Sequence, residues 1–211
     1  MYIVVEGLKG VGKSTTVESL NQRLSDLNFL HTIISPTKPM PHHIWWETAY
    51  QYFHQDDNFI EALYASRSNY HARNINWHDN LIIGDRSILT SLAVRWDKIE
   101  NEFSSAYHFF HHVRQLEYYI GIPDISIQLH IDDNQLMQRY ERRDRHYGNA
   151  EECLNEIKRI KQNYEHLKTW LKSTEAITLL QKQIKWIDID CNNRSVDNIT
   201  NDILNIITQN V

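Results

Sequence analysis

A chain of 211 residues with 41% hydrophobic content can bury one substantial core, and with no linker or internal repeat to divide it, a single domain over residues 1–211 is expected. The 22 Lys and Arg against 27 Asp and Glu give a net charge of −5, which argues against a general nucleic-acid binder with its basic surface. Two cysteines fit neither a disulfide framework nor a metal spacing, and no apolar run approaches the ~20 residues of a membrane span. Residue 1 enters a strand with no leader pattern, so a soluble cytoplasmic protein with no membrane partner is expected.

Residues 1–5 form an apolar, β-branched run that reads as a buried strand. Gly7-Leu8-Lys9-Gly10-Val11-Gly12-Lys13-Ser14-Thr15 follows, a glycine, four residues, then Gly-Lys-Ser. Val17, Leu20, Leu24 and Leu27 then recur at helical spacing. Strand, loop and helix are the context this phosphate-binding pattern requires. Its glycines let the backbone N–H groups from Gly7 through Thr15, that of Val11 included, wrap around phosphate oxygens, and the helix adds the positive end of its dipole. Lys13 would reach the β- and γ-phosphates, and the Ser14 hydroxyl would hold Mg²⁺. The pattern predicts a nucleoside triphosphate site, with ATP and Mg²⁺ as its cofactors.

A second strand is expected at residues 31–34, a proline-marked loop at 36–41, and an aromatic-rich helical stretch at 45–53. Residues 59–77 read as a helix with Ile60, Leu63 and Tyr64 on one face. Arg67 falls on that same face, so it either meets an anionic or acceptor partner or snorkels from the edge of the stripe. Residues 81–85 are an apolar strand closing on Asp85, the form of a Walker-B acid that serves Mg²⁺ beside the phosphate loop. Arg86 follows at the carboxyl end of that strand, where open α/β sheets place their ligands.

A long helix is expected over residues 102–120, with Phe103, Tyr107, Phe110, Val113 and Ile120 as its core stripe and His108, His111 and His112 on a wet face. Gly121-Ile122-Pro123-Asp124 breaks the chain before a fourth strand at 125–131. The next helix turns basic, with Arg139, Arg142, Arg143 and Arg145 within seven residues. Such a cluster is either a solvated face or, after a strand end in a phosphate-binding fold, a source of charge for a transferring phosphoryl group. A helix at 151–171, a strand at 184–189 and a last helix capped by Ser195 complete the pattern. Alternating strands and helices predict a three-layer α/β fold, a five-stranded parallel sheet with helices on both faces.

On these residues the chain resembles the thymidylate kinase family of phosphate-loop nucleoside monophosphate kinases, from end to end. The resemblance rests on Val5-Glu6-Gly7-Leu8 with the loop, Leu63-Tyr64-Ala65-Ser66-Arg67, and the Asp85-Arg86 motif through Ala93. Pro123-Asp124, the approach from Leu129 to Arg139, and Trp186-Ile187-Asp188 complete it. It implies transfer of the ATP γ-phosphoryl group to a nucleoside monophosphate, dTMP in that family, under a short basic lid at about 139–150, commonly in a homodimer. It further implies that Arg86 clamps the acceptor phosphate and, with Lys13, bridges donor and acceptor. Arg139 then belongs to the ATP site, and Arg142 and Arg143 act from the lid. Lys9, Lys38, Leu63, Arg67, Thr90 and Val94 would surround the acceptor. Departures from the family pattern also gather there: Lys9 for an aspartate, Leu63 for a phenylalanine, Ser87 for an aromatic, and Val94-Arg95 for Tyr-Gln.

Two rival readings remain. A deoxynucleoside kinase would phosphorylate a nucleoside 5′-hydroxyl, which needs a base; Asp85-Arg86-Ser87 resembles that group, but the exit of the second strand, Ser35-Pro36-Thr37-Lys38, carries a lysine and no carboxylate. A non-catalytic nucleotide-binding protein would keep the loop and lack the acceptor chemistry.

Overall fold

A computed structural model of the chain describes residues 1–38, 49, 52–53, 55–142 and 152–210. Five strands form one parallel sheet: β1 (Tyr2–Gly7), β2 (Thr32–Ile34), β3 (Ile82–Asp85), β4 (Ile125–His130) and β5 (Lys185–Asp190), in the order β2-β3-β1-β4-β5. Between and after them run α1 (Lys13–Asp26), α2 (Asp57–Ala72), α3 (Ile88–Val94), α4 (Lys98–Glu102), α5 (Ala106–Leu116), α6 (Asp133–Glu141), α7 (Leu154–Leu171), α8 (Thr174–Leu180) and α9 (Val196–Asn210). All four strand pairings are parallel, with Val5 opposite Asp85 on one side of β1 and Ile127 on the other.

The chain leaves β1 toward β2 and β3, then returns past β1 to β4 and β5. Right-handed crossovers therefore put α1 on one face and the helices between β3 and β5 on the other. Contacts agree with this: α1 packs on α9, β1 and β3, whereas α3 packs on β1, α5 and α7. The direction reverses at the carboxyl end of β1, the place where open sheets of this kind hold ligands. β1 is buried along its whole length, and Ile3, Val4 and Val5 are wholly inaccessible. Ile82, Ile83, Ile125, Ile127 and Leu129 extend that core across the sheet. A strand buried on both faces reads as a continuous apolar run, which is why β1 and β3 stand out in the sequence.

Several element expectations need correction. The helix expected at 59–77 spans Asp57–Ala72, and Asp56 caps it by accepting from the Phe59 N–H at 3.0 Å. The helix expected over 102–120 is α5, Ala106–Leu116, shorter at both ends; α4 ends at Glu102, and Ser105 starts α5 by accepting from the His108 N–H at 3.3 Å. Its buried stripe is Phe109, Phe110 and Val113, while Tyr107 is exposed, so the expected phase is off at the first turn. There Phe109 meets Trp96 and Phe103, with ring centroids at 6.2 and 5.1 Å. Helix α8 was not anticipated; Ser173 caps it through the Ala176 N–H at 3.1 Å. The cap expected at Ser195 is present, its Oγ accepting from the Asn198 N–H at 3.2 Å. Of the aromatic stretch, Trp45, Trp46 and Tyr50 lie outside the described residues, and Tyr52 and Phe53 are exposed. No described helix is long and apolar enough to cross a membrane.

Candidate active site

The phosphate loop joins β1 to α1 at the reversal point. Gly7 has φ 128°, and a Cβ there would lie 2.6 Å from the Leu129 carbonyl oxygen of β4, so the close pairing of β1 with β4 admits only glycine. Gly10 and Gly12 also have positive φ, and Gly12 is the N-cap of α1. The loop thus turns its backbone inward and delivers the chain into a helix whose first turn contains Lys13, Ser14 and Thr15. Lys13 is buried and donates to the Leu8 carbonyl at 2.5 Å, so the loop's own backbone holds its ammonium. Ser14 and Thr15 are exposed at the mouth. Helix α6 reaches across: Arg139 Nη1 donates to the Val11 carbonyl at 2.8 Å and to Gly10 at 3.4 Å, and the Tyr140 hydroxyl to Lys9 at 2.7 Å. The Lys9 ammonium lies 3.1 Å from Glu152 Oε1.

β3 supplies the acidic and basic pair. Asp85 is buried at the strand's carboxyl end, and among the described residues no side chain donates to it. The Asp85 carboxylate, with the exposed Ser14 hydroxyl, gives a hard-oxygen donor set appropriate to Mg²⁺. Arg86 follows with φ 77°, a left-handed conformation that costs a non-glycine residue about 1 kcal/mol or more. The turn is held by Arg86 N–H donating to the Val5 carbonyl at 3.1 Å. Gly84 makes it sterically feasible, since a Cβ there would stand 2.9 Å from both the Arg86 carbonyl and the Tyr2 hydroxyl oxygens. From that strained turn the Arg86 side chain reaches Thr90 Oγ1, its Nη1 donating at 3.3 Å.

Between loop and turn lies Glu6, a residue the sequence reading passed over as part of a motif. It is inaccessible to solvent and accepts from Thr90 Oγ1 at 2.6 Å, Ser87 Oγ at 2.7 Å and Tyr164 OH at 3.0 Å. Burial pushes its carboxyl above the usual range, with the hydroxyl donors and the Arg86 and Lys13 cations pulling the other way. The signal was available: Glu6 is the one charged side chain in an otherwise apolar strand, and such a group must be paired. Thr90, expected at the acceptor, turns its hydroxyl inward to Glu6 and receives Arg86 Nη1 at 3.3 Å.

The other residues expected at the acceptor lie on α2 and α3 or beyond β2, with charged neighbours at α5. Leu63 is buried on α2, and the Arg67 guanidinium lies 4.8 Å from the Tyr64 ring centroid. Arg95, at the C-cap of α3, is committed three ways: Nε to the Ser91 carbonyl at 3.2 Å, Nη1 to Glu61 at 2.5 Å, and Nη2 within 3.7 Å of Glu117. His112 adds a contact to Glu61 at 3.1 Å. Glu117 is almost wholly buried and its Oε1 accepts no hydrogen bond; burial raises its pKa, while the Ser91 and Ser68 hydroxyls and then Arg95 and Arg67 draw it down. The Val94 carbonyl accepts from Arg159 of α7 at 3.1 Å. Lys38 is exposed beyond β2, and its carbonyl lies 2.9 Å from His71 Nε2. Arg142 is the exposed C-cap of α6, and Arg143 lies outside the described residues. Lys9, Lys13, Ser14, Glu6, Asp85, Arg86 and Arg139 thus gather around the carboxyl end of β1, while Leu63 and Arg67 sit on α2 and Val94 at the end of α3.

Comparison with known proteins places this arrangement. The thymidylate kinase of Candida albicans has a similar structure, with a TM-score of 0.67 at 19% identity over 99% of this chain and 91% of that one. A deoxyadenosine kinase from M. mycoides, with dCMP and dCDP bound as products, has a TM-score of 0.65 at 18% identity over the full length of both chains. A second structure of deoxyadenosine kinase from M. mycoides, with bound dATP, has a TM-score of 0.58 at 17% identity, over 99% of this chain and all of that one. No curated protein matches by sequence. The family profile described as deoxynucleoside kinase matches residues 3–209, nearly the whole chain, and so covers the loop, Asp85-Arg86-Ser87 and the lid approach together. The chain is a phosphate-loop kinase of nucleosides or nucleotides and belongs to the deoxynucleoside kinase family.

Proposed function

We propose that the chain transfers the γ-phosphoryl group of ATP to the phosphate of a deoxynucleoside monophosphate, with dTMP as the first candidate. The observation that carries this reading is the exit of β2. Residues 35–38 there are Ser-Pro-Thr-Lys, a cation and no carboxylate, at the place where a hydroxyl acceptor would call for a base. Of the buried carboxylates at this end of the sheet, Glu6 is sealed from solvent with three donors upon it and cannot take a proton from a substrate, and Asp85, beside the β2 exit, is the one this reading gives to Mg²⁺. A monophosphate acceptor is already an anion, so the reaction asks only for alignment and charge neutralisation.

The residues divide that work. The loop N–H groups and the α1 N-terminus hold the donor phosphates, and Lys13 exchanges the Leu8 carbonyl for a phosphate oxygen. Arg86, turned off the end of β3, holds the acceptor phosphate in line, with Lys38 on its outer side. Arg142 and Arg143 add positive charge from the lid as charge spreads over the transferring group. Mg²⁺, which neutralises charge on the β- and γ-phosphates when bound, would be held by Ser14 and Asp85.

A second reading is favoured by the family profile itself: phosphorylation of a deoxynucleoside 5′-hydroxyl, with Asp85 as the carboxylate available for its proton. Coupled assays with ATP and dTMP, dUMP, dCMP and dGMP, set against thymidine and deoxycytidine, separate the two. Turnover of the monophosphates is expected. Turnover confined to nucleosides would replace this reading with the second, and ATP binding without any turnover would replace both.

A further inference from the structure

Arg86, Thr90 and Glu6 form a relay that neither the family match nor the motifs assign. Arg86 Nη1 donates to Thr90 Oγ1 at 3.3 Å, and Thr90 Oγ1 donates its single proton to Glu6 Oε2 at 2.6 Å. Glu6 Oε2 also receives the hydroxyl of Tyr164, at 3.0 Å, from α7, the helix that follows the lid segment. Oε1 receives Ser87, the N-cap of α3, at 2.7 Å. One buried carboxylate therefore joins the end of β1, the start of α3 and the middle of α7, and reaches the guanidinium through a single hydroxyl.

The chemistry of that hydroxyl matters. A threonine proton committed to a carboxylate at short range makes the oxygen a stronger acceptor, because chained hydrogen bonds polarise one another. Arg86 thus feels the Glu6 charge through Thr90 and keeps most of its five N–H donors for an anion. A direct Glu–Arg pair would occupy the planar fork that recognises phosphate bidentately. The strained backbone at Arg86 fixes where the side chain starts, and Thr90 fixes where it ends.

We propose that Thr90 and Glu6 are positioning residues that hold the Arg86 guanidinium in its phosphate-clamping place, so that Thr90 serves the reaction through Arg86 and not by touching the acceptor. This rests on the reading of Arg86 as the clamp. The test compares Thr90→Val, which keeps the shape and removes the hydroxyl, with Thr90→Ser, which keeps the hydroxyl, using the acceptor that the parent chain turns over best. Thr90→Val is expected to lower kcat by about ten- to hundredfold, the size of a small misplacement at a reacting centre. Its KM for ATP should stay within about twofold, since the donor loop is untouched. Thr90→Ser should restore most of kcat. A crystal structure of Thr90→Val should show the guanidinium displaced from its place in the parent. Unchanged kcat in Thr90→Val, equal losses in both variants, or an unmoved guanidinium would each overturn the proposal. If the parent chain phosphorylates no acceptor at all, the reading of the reaction fails by itself, and the guanidinium's place in Thr90→Val still decides the relay.

Discussion

The proposed donor and acceptor halves of the site are built from different materials. On the donor side the working groups are backbone: three glycines at positive φ and the first turn of α1, with the buried Lys13 as the principal charged side chain. On the acceptor side the wall is made of side chains whose charges are already paired, with Glu61, Arg95, Glu117 and His112 linking α2, α3 and α5. Backbone geometry is indifferent to the nucleoside attached, which suits a loop that grips a triphosphate common to many reactions. Paired side chains are where selectivity resides, since an acceptor whose polar groups do not match them leaves a buried group unsatisfied. The comparison predicts that substitutions on the donor side act on turnover and those on the acceptor wall act first on stability.

Lys13→Ala is the largest expected break. With the ammonium gone, the transferring phosphoryl group loses a preorganised charge, and kcat/KM should fall by about 10²–10³-fold with the melting temperature nearly kept. Steady-state assays beside a thermal melt check both halves of that statement. A loss of fold comparable to the loss of activity would mean that Lys13 is chiefly a structural strut on the Leu8 carbonyl.

Arg95→Met is the corresponding break on the acceptor wall. It strips the guanidinium from two nearly buried carboxylates, and uncompensated buried charge costs about 3 kcal/mol. Urea denaturation should show that loss as a lowered midpoint at unchanged slope. A change under about 1 kcal/mol would show the network to be wet and weak.

Gly7→Ala probes how far the donor loop depends on the sheet beneath it. The new Cβ would meet the Leu129 carbonyl oxygen at 2.6 Å from a backbone at φ 128°, two penalties that together amount to about 2 kcal/mol. Because β1 must then shift from β4, nucleotide affinity should weaken as well, which calorimetric titration with ATP reads directly. Full-strength ATP binding in a destabilised variant would uncouple the loop from strand register.

These differences also explain what the sequence disclosed. The donor loop was legible because nine consecutive residues carry it, and a glycine's role follows from spacing alone. The five-strand parallel sheet was legible for the same reason, its buried strands being local apolar runs. The acceptor wall was not, because Glu61 and Arg95 are 34 residues apart and meet only after α2 and α3 pack on the same face. Arg67 advertised a charged group on an apolar stripe without placing its guanidinium 4.8 Å from the Tyr64 ring centroid. Thr90 was read as facing substrate because motif position says where a residue sits along the chain and nothing about its χ1. The late start of α5 was hidden by a continuous apolar rhythm over 102–120, within which one serine hydroxyl decides where the helix begins.

The finest test of the acceptor wall uses pH. Burial holds the proton of Glu117 to a higher pH in the folded chain than in the unfolded one. Between the ordinary carboxylate pKa and that raised value the folded state binds more protons, so stability falls as pH rises through this window. Glu117→Gln has no proton to lose there. The stability of the variant minus that of the parent should therefore grow with pH across the window and level off on both sides. Glu6 is raised by burial too, but it is present in both chains and cancels in the difference. A difference that stays flat from about pH 4 to about pH 8 would mean that Arg95 and Arg67 already neutralise Glu117 in full. The acceptor wall would then be a closed ionic lattice, and its selectivity would have to come from shape alone.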